Sequence, residues 1–149
     1  MSFYHAVCGF FGAIKSEAHL RFHIMIAVLI SIFAHFYGID KTQWAVLTLT
    51  IAAVISAELF NTALEQAVNT ATDEIMPSAK FAKDASAGAV LVLAVLSVFV
   101  GICLFGNGER IIATLKFIFT TKRVLLPCLL TGFILLGFVI YGGKNGKKV

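Results

Sequence analysis

The chain has 149 residues, of which 59% are hydrophobic and 13% charged, whereas soluble domains average roughly 45–50% apolar and about 25% charged residues. Its mean hydropathy of +0.92 excludes an ordinary soluble domain and indicates an integral membrane protein of one domain at most. The net charge of +4 is small and spread over loops, which favours anionic lipid headgroups over nucleic acid as a partner.

The cysteines and the N-terminal residues argue against a zinc site, a disulfide framework and a signal peptide. Cys8, Cys103 and Cys128 are far apart and show no CxxC pattern, so neither a zinc site nor a disulfide framework is expected. The N-terminus lacks a basic start, a clean apolar core and an A-x-A cleavage site, so no signal peptide is predicted.

The apolar pattern predicts four membrane spans and two amphipathic segments. Residues 1–23 mix aromatic with charged and histidine side chains, which indicates a helix lying in the membrane interface. A bilayer core needs about 20 apolar residues per helix. The four stretches that approach this length lie near 24–39, 44–64, 86–105 and 124–141. Residues 106–123 show helical spacing of apolar side chains with basic residues around them, which predicts a second amphipathic helix before the last span.

The connections are predicted from turn residues and charge. Pro77 and Ser78 predict a helix break in a loop at 70–83, and Asp84 then stands where the N-cap of the third span is expected. Lys and Arg number seven on the side of the termini and five on the other, which favours termini in the cytoplasm. The chain ends in a Lys-rich tail.

A polar stripe on the second span is the strongest candidate site. At about 100° per residue, Asn61 lies about 60° and Glu65 about 20° from Glu58 around the helix. Glu58 is 14 residues beyond Trp44, or roughly 21 Å along the axis, near the far boundary of a core of about 30 Å. A carboxylate at that depth can meet the hydroxyl of a membrane lipid, and Glu65 further out can meet water, metal and phosphate. Helix–helix hydrogen bonds or a buried ion pair are the alternative.

Three segments resemble a known family. ELFNTALE at 58–65 and AKDASAGAV at 82–90 are similar to the two motifs of the small bacterial integral-membrane diacylglycerol kinase and undecaprenol kinase family. SEAHLRFH at 16–23 looks like the surface-helix motif of that family. The resemblance covers roughly residues 4–105, so we expect a lipid kinase transmembrane domain at 1–105. The region 106–149 would add an amphipathic segment, a span and the tail.

The resemblance implies an all-α membrane protein, with an amphipathic surface helix, three core transmembrane helices and an additional C-terminal span. It implies a homotrimer in the bacterial inner (cytoplasmic) membrane, multi-pass, with its active site facing the cytoplasm. The implied activity is phosphoryl transfer from ATP, with Mg²⁺, to a membrane lipid alcohol. Such transfer needs mainly positioning and charge neutralisation, which suits a site without a P-loop motif.

Individual roles also follow from the resemblance. Glu58 would be the catalytic general base and would contact the lipid alcohol, as would Arg21 from the surface helix. Glu17 and Glu65 would bind Mg²⁺, which is commonly held by one or two carboxylates together with phosphates. The residues expected to bind ATP are Glu17, Asn61, Glu65, Glu74, Lys83 and Asp84. Asn69 departs from the family pattern, where many members carry Asp.

Several alternatives stay open. AKDASAGAV favours undecaprenol kinase over a diacylglycerol kinase producing phosphatidic acid. A proton-coupled carrier could also use intramembrane carboxylates, but it would not depend on Lys83, and a non-enzymatic adaptor would tolerate Glu58→Gln. Without the resemblance, Glu17 and Arg21 would read as a solvated i,i+4 pair. His19 and His23 would then read as interfacial histidines.

Overall fold

The computed structural model describes residues 2–71 and 76–143, and in these ranges the chain forms six α-helices and no strand. They are α1 (Ser2–Ser16), α2 (Ala18–Tyr37), α3 (Lys41–Ala71), α4 (Pro77–Phe105), α5 (Gly108–Thr120) and α6 (Lys122–Tyr141). The predicted all-α fold is confirmed. Glu74 and the Lys-rich tail lie outside the described residues.

Four of these helices, α2, α3, α4 and α6, are long and apolar enough to cross a membrane, as predicted. Few of their side chains are buried, which is expected where lipid rather than water surrounds a helix. The predicted amphipathic helix before the last span is α5. It begins after Asn107, whose side-chain oxygen accepts a hydrogen bond from the backbone N–H of Arg110 at 2.9 Å.

The boundary between the surface helix and the first span differs from the prediction. The break falls at Glu17, whose extended backbone (φ −103°, ψ 117°) makes it the N-cap of α2. Residues 18–23 therefore belong to the spanning helix and not to the surface helix. The prediction failed there because Arg21 and His23 looked like interfacial side chains, whereas both bond to groups inside the protein.

The turn between α2 and α3 is built from three local features. Gly38 adopts a left-handed conformation (φ 74°), which costs glycine little because it has no Cβ. Asp40 and Gln43 then exchange hydrogen bonds between side chain and backbone, both at 2.9 Å, in a capping-box arrangement. With 31 residues, α3 is about 46 Å long and therefore extends beyond a core of about 30 Å.

The predicted start of the third span is wrong. Pro77 occupies the first turn of α4, where its missing N–H costs nothing, and Met76 is the N-cap. Asp84 is consequently not a cap but lies two turns inside the helix, next to Lys83. Both side chains are thus carried by the rigid start of α4, which packs along α3.

The buried core lies at the end of the bundle near Gly38. Its members are Ala34, Tyr37, Ile39, Leu47, Leu104 and Phe105. The Arg110 guanidinium, from α5, lies 4.4 Å from the centre of the Tyr37 ring and donates to the Gly38 carbonyl at 2.7 Å. The polar contacts of α3 lie toward its other end, between residues 58 and 69.

Candidate active site

Glu58 is a buried carboxylate that joins two spans. Its side chain on α3 is only 8% exposed, and its Oε1 atom lies 3.0 Å from Nε2 of His23 on α2. This contact is an ion pair when His23 is protonated and a hydrogen bond from Nε2–H when it is neutral. The helix–helix contact considered as the alternative to function is therefore present. It also fixes the orientation of the carboxylate, which a catalytic role would require.

Asn61 and Glu65 form the next layer of the stripe, and α4 completes it. The Asn61 amide donates from Nδ2 to Oε1 of Glu65 at 3.1 Å, one turn along α3. The Ser86 hydroxyl, from α4, lies 2.6 Å from Oδ1 of Asn61, the nearer of its two acceptors, and 2.9 Å from the carbonyl of Lys83. Within the described residues, Oε2 of Glu65 has no hydrogen bond of its own, so it is available as a ligand oxygen.

Lys83 and Asn69 form a third layer, further from the core. The Lys83 ammonium donates from Nζ to Oδ1 of Asn69 at 2.6 Å, again between α4 and α3. Asn69 therefore provides the acceptor for the Lys83 ammonium group. Asp84, beside Lys83, is exposed.

Glu17 lies at the junction of α1 and α2, and α1 contacts α3 as well as α2. Throughout residues 2–71 and 76–143, no group of three or more His, Cys, Asp or Glu side chains is placed to hold a metal ion. A site formed by Glu17 and Glu65 would therefore need phosphate oxygens and water to complete the coordination of Mg²⁺.

Arg21 is buried, with 5% of its surface exposed. It donates from Nη1 to the carbonyls of Ile14 and Lys15 at 2.8 and 3.1 Å, and from Nε to the carbonyl of Val139 at 3.3 Å. It therefore caps the C-terminus of α1 and ties it to the end of α6. The alternative of a solvated Glu17–Arg21 pair is wrong because this guanidinium is buried. Its predicted contact with substrate stays a prediction.

The roles of His23 and Ser86 were not predicted from the sequence. His23 contacts Glu58 because of the way α2 is rotated against α3. The i,i+4 spacing of His19 and His23 does not predict that rotation. Ser86 lies within AKDASAGAV, one turn after Lys83. That spacing could have predicted that the two side chains share one face of the helix. Both residues act across helices, where the spacing along one helix predicts nothing.

Comparison with known proteins agrees with the three motifs. The family model of prokaryotic diacylglycerol kinase matches residues 4–105, and the chain belongs to that family. Undecaprenol kinase from Bacillus subtilis is 38% identical over 104 residues, covering 70% of this chain and 85% of that protein. Diacylglycerol kinase from Synechocystis sp. is 38% identical over 105 residues, covering 70% of this chain and 60% of that one. No solved structure matches the chain.

The protein is therefore a bacterial membrane lipid kinase, as the motifs predicted, and ATP is its co-substrate. The family assignment favours this class over a proton-coupled carrier or a non-enzymatic adaptor. The match ends at residue 105, where α4 ends, so α5 and α6 lie outside it.

Proposed function

We propose that the protein transfers the γ-phosphoryl group of MgATP to undecaprenol. The observation that carries this proposal is the three-layered line of polar side chains along α3. It runs from His23–Glu58, through Asn61, Glu65 and Ser86, to Asn69–Lys83. This line leads from a buried carboxylate to an ammonium group nearer the end of α3, which is the order that a lipid hydroxyl and a nucleotide phosphate require.

Glu58 acts as the general base in this proposal. His23 holds Oε1, which leaves Oε2 to accept the proton of the lipid hydroxyl. The hydroxyl oxygen then forms a bond to the γ-phosphorus while the bond from that phosphorus to the bridging oxygen of ADP breaks. No covalent intermediate on the protein is needed, because positioning and charge neutralisation supply most of the catalysis.

Glu65 and Glu17 are proposed as the protein ligands of Mg²⁺. Mg²⁺ prefers oxygen ligands and keeps several waters, so two carboxylates together with phosphate oxygens satisfy it. The Asn61 amide fixes one oxygen of Glu65 and leaves the other for the ion. When bound, Mg²⁺ would neutralise charge on the phosphates.

Lys83 contacts the phosphate oxygens of ATP in the proposal, with Asn69 holding its ammonium group in place. A lysine is suited to this role as a compact positive charge. Asp84, Asn61 and Glu74 are proposed as further nucleotide contacts, and Glu74 lies outside the described residues. Arg21 is proposed to support the lipid site from the α1–α2 junction.

The choice of undecaprenol rests on AKDASAGAV and on the Bacillus subtilis relative. That relative is named undecaprenol kinase, and the match covers 85% of its length. Diacylglycerol is the alternative substrate, since the Synechocystis relative is named for it. We further propose a homotrimer in the inner membrane with the site facing the cytoplasm. In this arrangement 1–105 is the kinase domain and 106–149 an added region.

The test uses purified protein with labelled ATP, Mg²⁺ and either undecaprenol or diacylglycerol, with wild type compared against Glu58→Gln. We expect label in undecaprenol, little in diacylglycerol, and a loss of about 10²–10⁴-fold in rate for the variant, the range typical of general acid–base catalysis. Label appearing in neither lipid would refute the proposed activity. A variant with the wild-type rate would remove Glu58 as the base.

A further inference from the structure

Arg21 joins three helices through its buried guanidinium group. It stands in the first turn of α2, with only 5% of its surface exposed. Its Nη1 atom donates to the carbonyls of Ile14 and Lys15 in the last turn of α1, at 2.8 and 3.1 Å. Its Nε atom donates to the carbonyl of Val139 in the last turn of α6, at 3.3 Å. The C-terminal end of a helix carries unpaired carbonyls and negative partial charge. Two such ends therefore converge on one buried cation.

Arg21 also fixes the break at Glu17 from both sides. The Glu17 N–H donates to the Ala13 carbonyl at 2.9 Å, which continues the hydrogen bonds of α1, and the Glu17 carbonyl accepts from the Arg21 N–H at 3.3 Å, which begins those of α2. Within the described part of the chain, the Glu17 side chain makes no capping hydrogen bond. The direction of this side chain is consequently set by the backbone of the break, and Arg21 bonds to that backbone before and after it.

The chain at the end of α6 approaches the guanidinium closely. A Cβ atom at Gly142 would lie 2.9 Å from Cδ of Arg21, and a Cβ atom at Gly143 would lie 2.8 Å from Nη2 and 3.2 Å from Nη1. At distances under 3.0 Å one of the two atoms must move, so glycine at both positions lets the backbone reach Arg21. Val139, Gly142 and Gly143 thus form a seat for the Arg21 side chain.

This seat lies outside the family match. The match ends at residue 105, whereas the seat lies at residues 139–143. The bonds of Arg21 to α1 stay within the matched residues, and its bond to α6 does not. The region after the match therefore supplies a contact that restrains the α1–α2 break.

We infer that the end of α6 supports the active site, because it holds Arg21, and Arg21 holds the break that carries Glu17. Arg21 and Gly143 are positioning residues in this arrangement. The inference rests on the proposed role of Glu17 as a ligand of Mg²⁺. It assigns to α6 an effect on metal binding that is exerted through Arg21.

The first test compares wild type with Gly143→Ala and with the matched control Gly137→Ala. Gly137 lies within α6, and a Cβ atom there would meet nothing within 4 Å. Hydrogen exchange of the protein in detergent, followed by mass spectrometry, reports on the backbone bonds of residues 14–21 and requires no turnover. We expect faster exchange there in Gly143→Ala only. Unchanged exchange in Gly143→Ala would overturn the inference.

The second measurement tests whether the break affects metal binding. Mn²⁺, which is visible by electron paramagnetic resonance, replaces Mg²⁺, and a non-hydrolysable ATP analogue supplies the phosphates. We expect half-saturation to require about three- to tenfold more Mn²⁺ in Gly143→Ala, since a displaced Arg21 loosens Glu17 without removing it. The kcat at saturating Mg²⁺ should stay close to that of wild type, whereas a loss of folded protein would lower kcat and leave half-saturation unchanged. Equal half-saturation in Gly143→Ala and wild type would overturn the inference.

A double-mutant cycle tests whether Gly143 acts through Arg21. Arg21→Met removes the guanidinium, so the further change Gly143→Ala should have little effect on Mn²⁺ binding. Arg21→Lys keeps a positive charge without the forked group, and we expect its half-saturation to lie between those of wild type and Arg21→Met. Additive effects of Arg21→Met and Gly143→Ala would overturn the inference.

The proposed activity and the positioning role can fail separately. If exchange and Mn²⁺ binding change as expected but wild type phosphorylates no lipid, the proposed activity fails and the positioning role stands. If wild type phosphorylates lipid while Gly143→Ala changes neither exchange nor Mn²⁺ binding, the positioning role fails and the proposed activity stands.

Discussion

The Nε2 atom of His23 lies 3.0 Å from the Oε1 atom of Glu58, so a side chain of α2 holds the carboxylate that we propose as the base. The rest of the polar stripe contacts α4, through Ser86 and Lys83. His19, one turn earlier on α2, is exposed. Two histidines with the same spacing as many metal-binding pairs thus occupy different environments.

Replacing His23 should lower kcat. A hydrogen bond to a charged group contributes about 1.5–3 kcal/mol, which corresponds to roughly 10–100-fold in rate if it is lost in the transition state. We expect this loss in His23→Ala and a smaller one in His23→Gln, whose amide can still donate. His19→Ala is the control and should keep the wild-type kcat. An unchanged kcat in His23→Ala would show that Glu58 does not depend on this partner.

Replacing Ser86 should weaken the response to Mg²⁺. The Ser86 hydroxyl donates to Asn61, which in turn donates to Glu65, so Ser86→Ala loosens a proposed metal ligand without touching it. With about 0.5–1.5 kcal/mol for one neutral hydrogen bond, we expect the Mg²⁺ concentration at half-maximal rate to rise about two- to tenfold.

Ser97→Ala is the matched control, because the Ser97 hydroxyl bonds only to a carbonyl of its own helix in the described part of the chain. It should leave the Mg²⁺ titration unchanged. Coincident titration curves for both variants and wild type would contradict the proposed chain from Ser86 to Glu65.

Lys83 and Asn69 should behave as a coupled pair toward ATP. Lys83→Ala removes the proposed phosphate contact and should raise the KM for ATP most strongly. Asn69→Ala should raise it less, since the ammonium group remains but loses its partner at 2.6 Å. In Lys83→Ala, the further change Asn69→Ala should have little effect. A double-mutant cycle on KM measures this coupling, and additive effects would show that the two residues act separately.

The close approach of Arg21 to the end of α6 should make Gly143 sensitive to substitution. A Cβ atom at position 143 would lie 2.8 Å from Nη2 of Arg21, and the guanidinium is held by three backbone carbonyls. Overpacking of this kind costs about 1–3 kcal/mol. We therefore expect Gly143→Ala to lower the midpoint of thermal inactivation in detergent.

Gly132→Ala, within α6, provides the comparison, because a Cβ atom there meets nothing within 4 Å. It should match wild type or exceed it slightly, since alanine favours a helix over glycine. Equal midpoints for the two alanine variants would show that Arg21 moves aside without cost.

Most of the fold was predictable from periodicity and length alone. The four spans and the amphipathic helix α5 follow from apolar runs of about 20 residues and from helical spacing of apolar side chains. The errors fell at helix ends. Asp84 was expected to be an N-cap, but Pro77 begins α4 two turns earlier because proline suits the first helical turn.

The sequence by itself determined the membrane class, the helices and the family, because hydrophobicity, periodicity and motifs are properties of residues close together in the chain. It also placed Glu58, Asn61 and Glu65 on one face of α3. Only the tertiary structure decided that His23, Ser86 and Lys83 bond to that helix, and that Arg21 faces α1 and α6. These contacts depend on how each helix is rotated against its neighbours, and side chains far apart in sequence settle that rotation together.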